Sequence, residues 1–159
     1  MDPAQAASYV ALFQWEEVEP SAALEAVPGV APAGRAGVGT LVERYPVPVA
    51  NWVSSVVWKR RASLGLVRAA EWLGAVSERV SFHFVNHLRA ASLYADLGES
   101  ERALELFERT ARAIDFGADF DANPRWARVG PAVRDLLARV HARGGIGPSE
   151  RDELRRIAE

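Results

Sequence analysis

The strongest constraint on the fold is the spacing of apolar residues in the second half of the chain. Within residues 91–115 they recur every three or four positions on both sides of Gly98. This spacing is typical of amphipathic helices, and a glycine between two such runs is typical of a helix end. We therefore predict two antiparallel helices joined at Gly98, in an all-α protein of about six to eight helices.

The same spacing extends over most of the 159 residues, and a chain of this length favours one domain. Prolines and glycines interrupt it at 28–50, which predicts an extended connector. The single domain would comprise N-terminal helices at 1–27, the connector at 28–50, a repeat-like core at 51–115 and a helical hairpin at 125–159.

Helix boundaries within the core and the hairpin follow from capping and breaking residues. Gly65 predicts a weak break, although one long helix through it stays open. The next segment would direct Leu66, Val67, Ala70, Leu73 and Val76 to the core. A helix is then expected from Ser77 to Leu97, followed by one capped by Ser100, one opened by Pro131 and one capped by Ser149.

Small and aromatic residues lie at fixed distances from Gly98, at Ala91, Tyr94, Ala103, Phe107 and Thr110. In this pattern, residues 85–115 resemble one tetratricopeptide repeat, whereas an earlier unit around Gly65 matches only loosely. His87, Ala90 and Asp115 depart from the family pattern. The resemblance implies a stack of antiparallel hairpins that binds another protein; an irregular helical bundle is the alternative architecture.

Composition narrows the function. The chain has no cysteine, which excludes disulfides, thiolate metal sites and cysteine nucleophiles, and its formal charge of −2 argues against a dedicated nucleic-acid binder. No nucleophile motif or phosphate-binding loop is present, so we expect neither an enzyme nor a cofactor. No apolar run is long enough for a membrane span, and the N-terminus does not resemble a signal peptide, so a cytoplasmic location is expected.

The repeat resemblance implies a non-catalytic interaction module, acting as a small adaptor, assembly or regulatory subunit. Its partner would be another protein, contacted as a peptide or helix in a groove or within a larger complex. Self-association stays open. Since aromatic and arginine side chains dominate protein interfaces, the candidate partner-binding residues are Trp58, Arg60, Arg61, His87 and Tyr94.

Three other interpretations start from different residues. His83 and His87 are four apart on a predicted helix, which is the spacing of metal ligands and would suit a metal protein or enzyme. An Arg-rich surface could serve a structural subunit of a nucleoprotein particle. A membrane-surface helix could use an apolar face and a basic end. The nucleoprotein interpretation would rest on Arg134, Arg139 and Arg143. The membrane-surface helix would use Trp52, Val53, Val56 and Val57.

Overall fold

The computed structural model describes residues 54–79, 83–116 and 128–159. About 87% of these residues are helical and none lies in a strand, which confirms the all-α class. The predicted N-terminal helices and the 28–50 connector lie outside the described residues. Residues 54–59 are helical, and they are followed by α1 (Arg61–Leu64), α2 (Leu66–Arg79), α3 (Phe84–Asp96), α4 (Ser100–Phe116), α5 (Val129–Arg143) and α6 (Pro148–Ala158).

The chain divides into two compact units, Met1–Val80 and Ser81–Glu159. The described part of the first unit contains α1 and α2, which pack against each other. Gly65 separates them with φ 86° and ψ 142°, a conformation open essentially to glycine alone. The predicted break is therefore confirmed, and the alternative of one helix running through Gly65 is wrong.

The predicted helix from Ser77 to Leu97 is wrong. α2 ends at Arg79, and α3 begins at Phe84 after His83, whose backbone is extended at φ −90° and ψ 96°. No glycine or proline marks this boundary, and apolar residues continue at helical spacing across it. Periodicity alone could not locate a boundary that the apolar pattern ignores.

The second unit begins with the predicted hairpin, which is confirmed. Gly98, with φ 77°, ends α3; its N–H donates to the Ala95 carbonyl and the Glu99 N–H donates to the Tyr94 carbonyl, at 3.1 and 2.9 Å. This pair of hydrogen bonds is a Schellman motif. α4 follows at once, and the Ala103 N–H bonds to the Glu99 carbonyl. The N-cap residue of α4 is therefore Glu99, one position before the predicted cap at Ser100.

The C-terminal hairpin is also helical, with shifted boundaries. α5 begins at Val129, so Pro131 lies within its first turn. The N-cap of α6 is Gly147, and Pro148 is the first helical residue. The predicted cap at Ser149 is wrong, because proline at the first helical position places the N-cap two residues earlier, at Gly147.

The four helices of the second unit form a closed ring of contacts. α3 packs on α4, α4 on α5, α5 on α6, and α6 returns to α3. The four helices therefore surround one core. The core side chains are apolar and come from all four helices; they include Phe84, Leu88, Leu93, Leu106, Phe107, Val133, Leu136, Val140 and Leu154.

Candidate functional site

Residues 58–68 form a segment of the first unit that we call the basic corner. Four of its residues are cationic and none is acidic, although the whole chain carries a net charge of −2. Its cations are Lys59, Arg60, Arg61 and Arg68. All but Arg61 are exposed, and Arg61 is half-buried. Positive charge is therefore concentrated where the chain turns into α2.

Two apolar side chains are exposed at the same place. Leu66 is 38% exposed and Val67 is 59% exposed, and they are the exposed large apolar residues among the described positions. The prediction that they face the core is wrong. They occupy the first turn of α2, whose N–H groups lack partners within the helix and favour contact with water. Further along α2, Trp72, Leu73 and Val76 are fully buried.

Trp58 and Arg61 form a fixed pair inside the corner. The guanidinium carbon of Arg61 lies 4.1 Å from the centroid of the Trp58 ring, and Arg61 Nη1 donates a 2.7 Å hydrogen bond to the Trp58 carbonyl. The pair therefore combines a cation–π contact with a hydrogen bond. Trp58 is only 6% exposed. It packs internally, while Arg60 remains at the surface.

The other two predicted binding residues lie in α3, in the second unit. His87 is buried, with 1% exposure. Tyr94 is half-buried, and the Arg102 guanidinium carbon lies 5.9 Å from its ring centroid. The structure thus places Arg60, Arg61 and Trp58 together in the corner, and His87 and Tyr94 on a helix of the bundle.

The small residues of the repeat-like pattern are buried. Ala91, Ala103 and Thr110 have no exposed surface, and Thr110 Oγ1 donates a 2.8 Å hydrogen bond to the Leu106 carbonyl. Small side chains at these positions let α3 and α4 approach closely. The hydroxyl is satisfied within its own helix, so burying it leaves no unpaired polar atom.

The predicted histidine arrangement does not form. His83 precedes α3 in extended backbone, whereas His87 lies within the helix. The spacing argument required both side chains on one helix, and this prediction is wrong. Within the three described ranges, no group of three or more histidine, aspartate or glutamate residues could hold a metal ion.

Arg134, Arg139 and Arg143, the three arginines of the predicted basic patch, each contact a carboxylate. Arg134 bonds Asp115 at 2.6 Å, Arg139 bonds Glu153 at 2.7 Å, and Arg143 bonds Glu150 at 2.8 Å. A further pair, Arg155 with Asp96 at 2.7 Å, links α6 to α3. These cations are neutralised by acids of the bundle, so the predicted basic patch on this hairpin is wrong.

Glu150 occupies a specific site at the start of α6. Its pKa is lowered from the ordinary 4.5, first by its own backbone N–H and then by the Arg143 guanidinium. A Cβ at Gly147 would lie 2.6 Å from Glu150 Oε2. Glycine at the N-cap therefore leaves room for the carboxylate, which compensates the positive end of the helix dipole.

The predicted membrane-surface face is wrong for the residues that the structure describes. Val56 and Val57 are 1% and 0% exposed, so they belong to the core. Trp52 and Val53 lie outside the described residues. Among the described helices, none combines the length and the apolarity that crossing a bilayer requires.

Comparison with known proteins identifies no relative. The sequence matches no protein-family model, no curated protein and no solved structure. The role of the basic corner must therefore be inferred from its own residues and contacts. The sequence predicted Arg60 and Arg61 of the corner but not Arg68 or the exposed Leu66 and Val67. The Trp58–Arg61 stack forms across the turn at Arg60, between two helical segments.

Proposed function

We propose that the protein is a non-catalytic interaction module that binds another protein through the basic corner. The observation that carries this proposal is the exposure of Leu66 and Val67 within the same short segment as the exposed Arg60. Apolar side chains flanked by arginine are characteristic of protein interfaces, where arginine is enriched and buried apolar area contributes to affinity.

The contrast along α2 supports this assignment. Six apolar residues of the helix are at most 7% exposed; these are Ala69, Ala70, Trp72, Leu73, Ala75 and Val76. Leu66 and Val67 gain nothing comparable from the folded chain. A partner that covers them would remove their apolar surface from water, a favourable change of about 25 cal/mol per Å² buried.

The corner is also partly preorganised for binding. The Arg61 guanidinium is held on the Trp58 ring and on the Trp58 carbonyl. A side chain that is ordered before association loses less conformational entropy on binding. Arg61 is therefore ordered before a partner binds, whereas Arg60 is the exposed cation that a partner would contact.

The resemblance of 85–115 to a tetratricopeptide repeat supports the same class of function. It suggests an adaptor, assembly or regulatory subunit of a larger complex, with Tyr94 as a second contact residue. A cytoplasmic location is part of this proposal. A second copy of the chain is one partner that the experiment below must distinguish from a different protein.

The test is affinity purification from the native host, read by mass spectrometry. Wild type is compared with Arg60→Glu/Val67→Ser, which alters one exposed cation and one exposed apolar residue of the corner. The matched control is Arg112→Glu/Arg156→Glu, because both arginines are exposed in the other unit. We expect a partner that the control retains and the corner variant loses.

Binding of the purified partner is then measured directly. Loss of an arginine and an apolar contact at an interface should weaken the affinity at least about tenfold. Equal affinity of the corner variant and wild type would place the interface elsewhere. Absence of any stoichiometric partner, together with a monomer in sedimentation, would contradict the interaction module.

A further inference from the structure

We propose that Ser63 is a phosphorylation site for a basophilic serine kinase, and that the phosphate weakens partner binding at the basic corner. The first part rests on the sequence and geometry around Ser63. The second part rests on the function proposed above. The experiment separates the two.

The sequence around Ser63 has the charge pattern that such kinases select. Residues 60–64 read Arg-Arg-Ala-Ser-Leu, with arginine three and two positions before the hydroxyl and leucine after it. Kinases distinguish substrates by charges near the acceptor, since acidic groups of the enzyme bind guanidinium groups in two-point contacts. No other serine or threonine of the chain has arginine at both positions.

Ser63 is also accessible, unlike several other serines. It lies at the surface, and its Oγ donates a 3.0 Å hydrogen bond to the Arg60 carbonyl in an exposed contact. Ser54 and Ser77 have no exposed surface, and Ser92 has 1%. Ser92 has an arginine three positions earlier, at Arg89, but its hydroxyl is closed to an enzyme.

The local backbone favours entry into a kinase cleft. Ser63 lies in α1, a helix of 4 residues that ends at Gly65. Opening this single turn breaks few backbone hydrogen bonds, among them the one from the Leu64 N–H to the Arg60 carbonyl. Opening α1 would release Arg61 from Trp58 and Leu64 from the core. This is a smaller disruption than opening the longer α3–α4 hairpin would require.

The chemical step is phosphoryl transfer from a magnesium-bound nucleoside triphosphate. Ser63 Oγ attacks the γ-phosphorus and forms a new O–P bond, while the bond between the γ-phosphorus and the β-phosphate oxygen breaks. The hydroxyl proton passes to the catalytic base of the kinase, and the nucleoside diphosphate leaves. The product carries about −1.5 to −2 charges at neutral pH.

The phosphate would change the corner in two ways. Its four cations give a formal charge of +4, and the phosphate reduces this to about +2. Its oxygens also accept charge-assisted hydrogen bonds, so they compete for the neighbouring Arg60 guanidinium. A partner that binds this arginine would lose both the attraction and the contact.

Phosphorylation is tested first on the purified full chain. The chain is incubated with magnesium, adenosine triphosphate and the catalytic subunit of cyclic AMP-dependent protein kinase, and intact mass is measured. We expect one phosphoryl group on wild type and on Ser149→Ala, an exposed-serine control. Ser63→Ala should take none, and Arg60→Ala should react at least about tenfold more slowly. No incorporation into wild type, or equal incorporation into Ser63→Ala, would overturn the site.

Use of the site in cells is tested by peptide mapping of the protein from its native host. Phosphate on Ser63 is the expected result. Phosphate found only elsewhere, or on no residue, would contradict physiological modification.

The effect on binding uses the partner recovered with the basic corner. Phosphorylated wild type should bind at least about tenfold more weakly than the unmodified protein. Equal binding, when Arg60→Glu/Val67→Ser still abolishes it, would refute the switch and leave the interaction module intact. Binding that the corner variant retains would refute the basic corner as the interface. The mass measurement would then still decide whether Ser63 is phosphorylated.

Discussion

The basic corner and the four-helix unit use the same residue types in opposite ways. In the four-helix unit, Arg134, Arg139 and Arg155 each bond an acid of another helix, and the large apolar residues are buried. In the corner, cations are adjacent in sequence, with no acid among them, and two apolar residues are exposed. Arginine therefore joins helices in the four-helix unit, whereas the corner presents Arg60 at the surface beside its exposed apolar residues in the sequence.

The largest expected effect tests whether apolar residues contribute more to the free energy of unfolding in the four-helix unit than in the corner. Phe107→Ala removes a fully buried ring from the four-helix unit and should lower the free energy of unfolding by about 3–5 kcal/mol. Val67→Ala, at a 59% exposed position, should change it by no more than about 0.5 kcal/mol. Chemical denaturation monitored by circular dichroism measures both. A comparable loss from Val67→Ala would show that this residue is structural.

The next effect concerns the backbone of the corner. Gly65→Ala places a Cβ at φ 86°, where a side chain is strained, although no atom lies within 4 Å of the added carbon. The cost is therefore conformational, about 1–3 kcal/mol in the free energy of unfolding. Gly145→Ala is the control, since its Cβ also meets open space and its φ is not positive. Equal stability of Gly65→Ala and wild type would contradict the break between α1 and α2.

A smaller effect is expected from the Trp58–Arg61 stack. Arg61→Leu keeps an apolar cover over the ring but removes the charge, so it should cost about 0.5–1 kcal/mol. Arg112→Leu is the control at an exposed arginine of the other unit. Trp58 fluorescence, isolated by comparison with Trp58→Phe in each background, should change in Arg61→Leu alone. An unchanged spectrum would argue against the contact.

The smallest effect is the pH dependence from Glu150. Its folded-state pKa lies below the ordinary 4.5, so the folded state binds this proton less readily than the unfolded state. The associated stability is present above pH 4.5 and is lost as the pH falls through the folded-state pKa. Glu150→Gln should flatten the loss of stability between pH 5 and about pH 3. Asp135→Asn, at an exposed carboxylate of the same hairpin, is the comparison; an equal slope in Glu150→Gln and wild type would contradict the assignment.

Capping residues show which helix ends could be predicted from the sequence and which could not. The helix end at Gly98 was predicted correctly because a glycine between two apolar-periodic runs commonly ends a helix. The two hydrogen bonds at the end of α3 confirm it. Ser149 was predicted as the cap because serine commonly caps helices, but Pro148 is the first helical residue and the cap is Gly147, two positions earlier. The boundary before α3 was missed because Val80 to Phe84 contains neither glycine nor proline.

The candidate site was recognised only in part, for a similar reason. Arg60 and Arg61 were selected as arginines near a tryptophan, and the structure places both in the corner. Trp58 and His87 were selected by type, yet both are buried. Residue type indicates the capacity to bind a partner, whereas exposure depends on neighbours that are distant in sequence.

The sequence by itself determined the all-α class and the turn at Gly98, because periodicity and glycine conformation act over a few adjacent residues. It favoured a break at Gly65 but left one long helix open, and the structure decided for the break. The tertiary structure alone decided which arginines meet acids and which apolar residues stay exposed. Asp96 and Arg155 are 59 positions apart, and their contact exists only because α6 packs on α3. Leu66 and Val67 continue the apolar pattern of α2, yet they are exposed in the folded chain.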